Sequence, residues 1–391
     1  MDENVKIYGF ELGRIKDLCL AELVNIVGED KIVAKASSIA LLKLPLLPHD
    51  TAQAFQNRLG GTIKIMEVFA EINQAKEMWA PLETEFTEHF KDHSGKVPFA
   101  VSIYNDKSKN INSKEILNFS KKFLKSLGFN CRFVNRDERN PRSSTIYKSK
   151  TVRKGIDINV IKTDSKIYLA KTIAIQNIDE YSKRDYDKPR RDAKEGMLPP
   201  KLSQIMINLA GPKTKTIYDP FCGTGTIMIE ALLMGKNTVG SDLSEKMVDN
   251  TQTNCEWLAK TFYHTCEFRV FQRDARFLTR EILPEPFDCI VTESYLGPPL
   301  SKTPGPEDAE KYFRELSNLH LNWLASAHPL LPENGKIVMC VPGYQRGNQI
   351  EFFPNIKEIV ETAGYKIEQN YLYDREDQIV VREILVLGKK R

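Results

Sequence analysis

The chain has 391 residues, a formal net charge of +4, 28% charged residues and 41% hydrophobic residues. This composition is that of an ordinary globular protein, and the length predicts two or three domains. Residues 1–6 contain no apolar signal core, and the most apolar run, Ile39–Leu47, is interrupted by Lys43 and Pro45 and is too short to span a bilayer. Seven cysteines without a Cys-x-x-Cys pair favour reduced thiols and argue against a zinc module or a disulfide framework. We therefore predict a cytoplasmic protein with no membrane segment.

Residues 1–178 alternate between strand and helix patterns. Apolar runs predict strands at Lys6–Leu12, Ile63–Ile72, Phe99–Tyr104, Cys131–Asn135, Gly155–Lys162 and Lys166–Ala174. Helical spacing predicts helices over Asp17–Val27 and Ser113–Leu127, the second capped by Ser113. We predict an α+β region, divided at Gly60-Gly61 into a ferredoxin-like subdomain over residues 1–60 and a second domain over residues 61–178.

A basic block occupies the second of these domains. Between Lys107 and Lys154 there are 14 lysine and arginine residues against 3 aspartate and glutamate residues, so the remainder of the chain is net acidic. Such a block is typical of a module that binds a polyanion, and a solvated basic face without a partner is the alternative. The candidate contacts are Lys109, Lys121, Lys122, Lys125, Arg136, Arg139, Arg142, Lys148, Lys150, Arg153 and Lys154.

From Pro199 onward, strand and helix patterns alternate as in a parallel sheet. The strand patterns fall at Thr216–Asp219, Thr238–Asp242, Glu267–Phe271, Phe287–Thr292, Lys336–Val341, Lys366–Tyr373 and Gln378–Leu387. Helical patterns begin near Lys201, Thr226, Glu245, Asp308 and Gln349. The last two strands lie too close together for a helix between them and predict an antiparallel pair. The predicted fold class is α/β: a seven-stranded Rossmann-like methyltransferase sheet over residues 179–391, preceded by the α+β region.

The segment Asp219-Pro220-Phe221-Cys222-Gly223-Thr224-Gly225-Thr226-Ile227 joins the first strand of this sheet to a helix. Its two glycines let a ligand approach bare backbone. The loop has no lysine and no third glycine at the dinucleotide spacing, which disfavours a phosphate cradle. A cationic cofactor without phosphate fits better, and we predict S-adenosylmethionine, whose ammonium and sulfonium charges favour a nearby carboxylate.

Acidic residues stand at the ends of the first four predicted strands: Asp219, Asp242, Asp274 and Glu293. Ligands of an open parallel sheet bind at the carboxyl ends of its strands. Asp242 has the position of a ribose acceptor in a βαβ unit, and Asp274 is a candidate acceptor for an adenine amino group. Asp242 alone is equally well explained as a helix cap. Four acidic strand ends together are difficult to explain as solvated surface.

Two stretches ahead of the loop extend this pattern, Arg184-Asp185-Tyr186-Asp187-Lys188-Pro189-Arg190-Arg191-Asp192 and Gly196-Met197-Leu198-Pro199-Pro200-Lys201-Leu202. With the loop, they resemble the THUMP-domain tRNA guanosine-N2 methyltransferases that modify guanosine 10. Phe10–Arg14, Leu20–Leu23 and Arg382-Glu383-Ile384 are also similar to this family. The resemblance implies transfer of a methyl group from S-adenosylmethionine to the exocyclic N2 of a guanosine in tRNA, with a THUMP-like domain over residues 61–178 that grips the RNA backbone.

The resemblance also implies which residues form the site. The cofactor-binding set is Asp219, Phe221, Cys222, Gly223, Gly225, Thr226, Asp242, Leu243, Asp274, Ala275 and Leu198. In the family the fourth strand usually ends in Asp/Asn-Pro-Pro-Tyr, whereas this chain has Thr292-Glu293-Ser294-Tyr295-Leu296-Gly297-Pro298-Pro299. The catalytic candidates are Glu293, the carbonyl of Ser294 and the ring of Tyr295, although strict alignment places Leu296 at the aromatic position. The extra methylene of glutamate displaces the acceptor, and a shift of about 1 Å can cost on the order of a hundredfold in rate.

Alternatives stay open at this point. The same fold and motif order suit a DNA or ribosomal RNA adenine-N6 methyltransferase, and the altered fourth-strand motif suits a catalytically silent tRNA-binding relative. The expected partner is tRNA, with a small activator protein left open. Cys222 is interpreted as a packing residue, because carbon-5 methylases carry their cysteine after a proline at the fourth strand. His89 and His93, an i, i+4 pair on a predicted helix, lack a third ligand, so no metal is expected.

Overall fold

The computed structural model describes residues 5–107, 109–136, 140–191, 197–281, 283, 286–375 and 378–390. The chain divides into two compact units, Met1–Glu180 and Tyr181–Arg391. The boundary between them falls within the short helix Ile178–Ser182. Each unit is built around a β-sheet of its own.

The first unit contains a mixed sheet in the order β2-β3-β1-β4-β8-β7-β5-β6. Its strands are β1 (Val5–Leu12), β2 (Ile32–Ala36), β3 (Ile39–Pro45), β4 (Thr62–Ile72), β5 (Lys96–Tyr104), β6 (Asn130–Phe133), β7 (Ile156–Lys162) and β8 (Ile167–Ile175). Its helices are α1 (Lys16–Val27), α2 (His49–Asn57), α3 (Trp79–His89), α4 (Ser113–Ser126), α5 (Ser143–Lys148) and α6 (Thr151–Lys154). β5 runs parallel to β6 and β7, and the other neighbours are antiparallel. Strands from before and after residue 60 belong to this one sheet, and the domain boundary that the sequence predicts there stays a prediction.

Helix α4 illustrates why the sequence folds as it does in this unit. Ile116, Leu117 and Leu124 are buried on one face, while the exposed positions carry polar residues, among them Lys122 and Lys125. The cap is Asn112, whose side chain accepts a hydrogen bond from the Lys114 amide at 3.0 Å. The prediction of Ser113 as the cap is therefore wrong by one residue, because the extended backbone that a cap requires is found at Asn112.

The second unit contains a sheet in the order β11-β10-β9-β12-β13-β16-β15, with the short β14 beside β13. Its strands are β9 (Thr216–Asp219), β10 (Asn237–Asp242), β11 (Phe268–Gln272), β12 (Cys289–Glu293), β13 (Lys336–Arg346), β14 (Gln349–Glu351), β15 (Tyr365–Tyr373) and β16 (Val380–Lys389). After α7 (Ile178–Ser182) its helices are α8 (Pro200–Leu209), α9 (Thr226–Leu233), α10 (Glu245–Thr261), α11 (Pro306–Ala327) and α12 (Ile356–Thr362). In this sheet order, the strands β11, β10, β9, β12 and β13 are parallel to one another. β16 is antiparallel to β13, and β15 and β16 form the predicted antiparallel pair.

This strand order decides where a ligand can bind. The chain starts the sheet at β9, moves outward through β10 and β11, and then returns to the other side of β9 with β12 and β13. The carboxyl ends of β9, β10 and β12 therefore lie side by side where the direction of winding reverses. In open α/β sheets a crevice forms at this point, and ligands bind there.

The region after β13 differs from the sequence prediction. Gln349 begins the strand β14, and the helix predicted near it, α12, begins only at Ile356. Arg346 pairs with Gln349 across a two-residue turn in which Gly347 has φ +60°. A glycine with positive φ at the first turn position favours a hairpin, so the chain folds back on β13 before a helix can start.

The core of the second unit lies between this sheet and its helices. Trp323 of α11 is fully buried, as the sequence predicts, and its Nε1 donates to His320 Nδ1 at 3.1 Å. The seven cysteines are all free. Helix α3 ends at His89, so His93 does not share a helix with it, and the described residues contain no group of three or more side chains able to hold a metal. Within the same residues, no helix has both the length and the hydropathy required to cross a bilayer.

A buried polar network joins the central strands of the first unit. Lys64 on β4 is 1% exposed, and its Nζ lies 2.9 Å from Asp157 Oδ2 and 2.7 Å from Asn159 Oδ1 on β7. Thr172 on β8 also donates to Asp157. Because isolated charges are costly to bury, the lysine and the aspartate each depend on the other.

We predict that Lys64→Met destabilises the protein by about 3–5 kcal/mol, because the substitution leaves the Asp157 carboxylate buried without its cation. Equilibrium urea unfolding measures the change. The matched control is Lys6→Met, which removes an exposed pair with Glu67 in the same sheet and should cost less than about 1 kcal/mol. Equal losses in the two variants would contradict this account of the buried pair.

Candidate functional site

The glycine loop between β9 and α9 has a backbone conformation that leaves part of it uncovered. Gly223 and Gly225 have φ values of +53° and +80°, which residues with a Cβ rarely adopt. The Gly225 amide donates to the Cys222 carbonyl at 2.7 Å, and the Cys222 amide donates to the Ser241 carbonyl at 3.0 Å. Thr251 Oγ1 donates to the Gly223 carbonyl at 2.7 Å. A Cβ at Gly223 would meet nothing within 4 Å, so this backbone is open to a ligand.

Asp219, the last residue of β9, is the electrostatic centre of the site. It is 2% exposed, and its Oδ1 accepts hydrogen bonds from Thr292 Oγ1 at 2.7 Å and from the Phe221 amide at 3.1 Å. Burial raises its pKa to about 7, against the effect of these two hydrogen bonds, and the charges of Asp242 and Glu293 act in the same direction as burial. Among the described residues, no lysine or arginine forms an ion pair with it.

Asp242, the last residue of β10, supports the same loop from the neighbouring strand. Its Oδ2 accepts from the Gly223 amide at 3.0 Å, and its Oδ1 accepts from the Ser244 amide at 2.9 Å. Burial raises its pKa, while these backbone hydrogen bonds lower it. Asp219 and Asp242 thus each bind one amide of the loop, and the structure brings the two carboxylates to the same strand edge.

Asp274 is more loosely attached to this group. It lies two residues beyond β11, accepts from the Arg276 amide at 2.9 Å, and forms an ion pair with the Arg276 guanidinium at 2.6 Å. The hydrogen bond with Arg276 is the main reason that the pKa of Asp274 is lowered. The pair is partly exposed, so a ligand that approaches Asp274 meets the arginine as well.

Glu293 ends β12, beside β9, and has a cationic partner. Arg382 on β16 donates from Nε to Glu293 Oε1. Burial raises the pKa of Glu293, and the charge and hydrogen bond of Arg382 lower it. Ser294 is buried, and its Oγ donates to the Cys340 carbonyl at 2.6 Å, which fixes the backbone after the strand. Tyr295 is 51% exposed, so part of its ring is accessible.

The other candidates take varied positions around the loop. Phe221 packs edge-on against Trp323, with ring centroids 5.6 Å apart. Cys222 is buried in an apolar cluster with Met228 and Leu232, which agrees with its interpretation as a packing residue. The remaining predicted cofactor residues are Thr226, Ala275 and Leu198, all buried, and Leu243, which is 65% exposed.

Sequence reasoning gave no roles to the residues that hold the segment 184–191 against the loop. Lys188 Nζ donates to Thr226 Oγ1 at 2.9 Å, and burial lowers the pKa of this lysine to about 8. Asn254 Nδ2 donates to the carbonyls of Thr224 at 2.8 Å and Arg190 at 2.9 Å. Lys188 and Arg190 lie in the segment that carries the family resemblance, but no pattern in the sequence singles out Asn254.

A second anchor lies in the same segment. Arg184 Nε donates to Glu230 Oε1 of α9 at 2.6 Å, and the two side chains are 5% and 0% exposed. The segment that precedes α8 is therefore attached to the helix that follows the glycine loop by a buried ion pair. Removal of either partner would leave a buried charge and loosen the loop's support.

The basic candidates lie in the first unit, on elements around β5, β6 and β7. Lys122 and Lys125 are exposed on α4, while Lys121 is partly buried with its Nζ 5.7 Å from the centre of the Phe133 ring. The other exposed candidates are Lys109, Arg136, Arg142, Lys148, Lys150, Arg153 and Lys154. Arg139 lies outside the described residues.

Comparison with known proteins places this site in context. Residues 187–346 match a family model described as an RMKL-like methyltransferase domain, and residues 64–253 match one described as a DNA methylase.

The tRNA (guanine(10)-N2)-dimethyltransferase of Methanothermobacter thermautotrophicus is 41% identical over 150 residues, which are 38% of this chain and 40% of that protein. Its counterpart in Pyrococcus abyssi is 27% identical over 220 residues, 54% of this chain and 59% of that protein. The resemblance to tRNA guanosine-N2 methyltransferases is confirmed, while its THUMP-like part stays a prediction. The chain spans only about half the length of the curated relatives that it matches.

Solved structures bear on the fold. The crystal structure of TrmN from Thermus thermophilus aligns with a TM-score of 0.54 at 15% identity, over 98% of this chain and 99% of that one. A possible methylase from Clostridium difficile 630 aligns with a TM-score of 0.51 at 14% identity, over 99% of each chain. The predicted Rossmann-like methyltransferase fold is thus confirmed.

We predict that S-adenosylmethionine binds more tightly as the pH rises through about 7. A cationic ligand favours the ionised Asp219, whose pKa is raised to about 7, so below that pH binding must first remove a proton. Affinity should then fall by up to about tenfold per pH unit. Isothermal titration calorimetry between about pH 5.5 and about pH 8 measures it.

Asp219→Asn should bind weakly and lose most of this pH dependence. Asp288→Asn is the matched control, because Asp288 accepts from the Lys215 and Thr216 amides at the opposite ends of the strands. An unchanged pH profile in Asp219→Asn would contradict the role of Asp219.

Proposed function

We propose that this chain is an S-adenosylmethionine-dependent methyltransferase that acts on the exocyclic N2 of a guanosine in tRNA, in the cytoplasm. The observation that carries the proposal is the group of carboxylates at adjacent strand ends: Asp219 at the end of β9 and Asp242 at the end of β10, which both accept from amides of the glycine loop, and Glu293 at the end of β12. Curated relatives that match part of this chain are named for methylation of guanine N2 in tRNA.

The cofactor assignment rests on charge. A buried carboxylate without a cationic side chain is costly, and a ligand cation removes that cost. Asp219 is in this situation, beside a loop whose Gly223 leaves its backbone uncovered. Asp219 and the loop would hold the methionine end, Asp242 the ribose diol and Asp274 the adenine, with Phe221, Leu243, Ala275 and Leu198 as apolar neighbours. When bound, S-adenosylmethionine supplies an electrophilic methyl group.

The fourth strand end would prepare the amine that receives this methyl. The lone pair of an aryl amine is delocalised into the ring, which makes the nitrogen a poor nucleophile. Acceptors on its N–H bonds favour a tetrahedral nitrogen and fix its direction of attack. Glu293 provides one acceptor and the Ser294 carbonyl the other, while the half-exposed ring of Tyr295 is available to stack on an extruded base. The methylated nitrogen then releases a proton, which Glu293 would accept.

The first unit would bind the RNA. We propose that residues 61–178 form a THUMP-like domain and that residues 1–60 form the ferredoxin-like subdomain ahead of it. The exposed lysines and arginines of α4 and of the segments that follow provide the positive charge that a phosphate backbone requires. Whether an activator protein takes part is left to experiment.

A second candidate function is methylation of adenine N6. It is favoured by the match of residues 64–253 to a DNA methylase family model. The two functions are separated by the product: unmodified bulk tRNA and duplex DNA are incubated with labelled S-adenosylmethionine, digested to nucleosides and analysed by mass spectrometry. N2-methylguanosine or N2,N2-dimethylguanosine supports the proposal, and N6-methyladenine in either substrate supports the alternative.

We predict that Glu293→Ala lowers methyl transfer to unmodified tRNA by at least about a hundredfold, because the amine loses its charged acceptor. Cofactor affinity, measured by calorimetry, should stay within about threefold, since Glu293 is not among the residues that bind the loop. The control is Glu351→Ala, which removes the partner of Arg346 elsewhere in the same sheet. Transfer that survives in Glu293→Ala would refute the role of Glu293.

We predict that the double charge reversal Lys121→Glu/Lys122→Glu weakens tRNA binding and makes its dependence on salt less steep. Each lost phosphate contact should reduce the slope of log affinity against log salt by about 0.7–0.9. The matched control is Lys35→Glu/Lys43→Glu, which changes the charge equally at exposed positions of β2 and β3. Filter binding over a range of salt concentrations measures both, and an unchanged slope in the α4 variant counts against this surface.

A further inference from the structure

The ion pair between Glu293 and Arg382 links two strands that are not neighbours. Glu293 ends β12 and lies opposite Cys340 of β13, whereas Arg382 lies on β16, on the far side of β13, opposite Pro342. The guanidinium reaches across the middle of β13, near Cys340 and Pro342, to Glu293 Oε1. β12 has β9 and Asp219 as its neighbour on one flank and β13, followed by β16, on the other. The Glu293 carboxylate is therefore held by a residue from the β16 flank.

The pair is mostly buried but still open to a ligand. Arg382 is 7% exposed at its side chain and Glu293 is 19% exposed. A pair buried to this extent needs good geometry to offset the loss of solvent. Three other groups act on it: Asp219 on β9, Cys340 on β13 and Tyr373 on β15. None of these is a cation, so Arg382 provides the positive charge in this part of the site.

We propose that Arg382 is a positioning residue for recognition of the target base: its ion pair fixes the Glu293 carboxylate so that it accepts hydrogen bonds from the two adjacent N–H groups, N1–H and N2–H, of a guanine. This inference rests on the proposed methyl transfer to a guanosine and adds the means by which the base is selected.

The chemistry of the base edges supports this assignment. Guanine presents two neighbouring donors, N1–H and N2–H, whereas adenine presents a donor beside an unprotonated ring nitrogen. An ionised carboxylate only accepts and has about four lone-pair sites. With Arg382 on one lone pair of Oε1, lone pairs on both oxygens are left for the two donors of guanine. The same carboxylate faces the lone pair of adenine N1, which repels it.

Arg382 also maintains the protonation state that this recognition needs. Burial raises the pKa of Glu293, and Arg382 is the group that opposes this rise. A protonated Glu293 would present an O–H donor and could no longer accept from both N–H groups. Loss of Arg382 therefore shifts the range in which Glu293 is ionised to higher pH.

The test compares the wild type with Arg382→Met and Arg382→Lys in methyl transfer to unmodified tRNA between about pH 6 and about pH 9. Arg382→Met should lose at least about tenfold more activity at the low end of this range than at the high end, relative to the wild type. Arg382→Lys keeps the charge and should keep the wild-type pH profile at a reduced rate. Arg346→Met, which breaks a pair with Glu351 in the same sheet, is the control for a general effect on the fold.

A second variant separates protonation from position. Glu293→Gln offers one acceptor and one donor at every pH, so its loss of activity should not recover at high pH, in contrast to Arg382→Met. Cofactor affinity, measured in parallel, should change little in all of these variants. An Arg382→Met profile that is parallel to the wild type, or an equal loss in Met and Lys variants at all pH values, would overturn the proposal.

Failure of the proposed function is recognised separately, as the absence of methylated guanosine with the wild-type protein. In that case carbon-13 NMR of labelled glutamate carboxyl groups decides the inference without turnover, with Glu293→Gln used to assign the Glu293 signal. The signal should titrate at higher pH in Arg382→Met, and guanosine monophosphate, but not adenosine monophosphate, should shift it. An identical titration in the two proteins, or an equal response to both nucleotides, would refute the proposal.

Discussion

One buried carboxylate determines the arrangement of the site. Asp219 is taken out of water at the end of the central parallel strand, and two hydrogen bonds, from Phe221 and Thr292, satisfy only part of its charge. A protein retains such a group at a cost in stability, and the cost is removed when a cation binds beside it. The glycines, the Asp242 carboxylate and the open backbone of the loop lie around this carboxylate, as the proposed binding of a cationic ligand requires.

The loop does not keep this shape unaided. Its carbonyls are bound by Thr251 and Asn254 of α10, and its helix start is bound by Lys188. Lys188 is buried at the start of this helix, and burial lowers its pKa to about 8. The segment 184–191 is thus part of the loop's support. A loop with left-handed residues stays ordered only when surrounding contacts fix it.

The sequence predicted those parts of the molecule that local patterns encode. Buried parallel strands read as short apolar runs, so all seven main strands of the second unit were found within a few residues of their observed ends. The glycine loop and its acidic strand ends were found because their spacing is fixed by local geometry. Contacts between distant residues have no such pattern: Glu293 and Arg382 are 89 positions apart, and only the fold brings them together. Asn254 was not recognised for the same reason. The hairpin β2-β3 is local, but its turn residues are Ser37 and Ser38, which lack the glycine or asparagine that marks such a turn in a sequence.

The altered motif at the fourth strand is best understood together with Arg382. The family that this chain resembles usually has Asp/Asn-Pro-Pro-Tyr here, whereas in this chain the prolines are displaced to Pro298 and Pro299. The longer glutamate would be free to adopt several conformations, which would blur the direction of its hydrogen bonds. An arginine fixed in β16 removes that freedom and favours the ionised form at the same time. An ion pair between side chains thus fixes the direction of the Glu293 carboxylate in this chain, so the departure from the usual motif is compatible with an active enzyme.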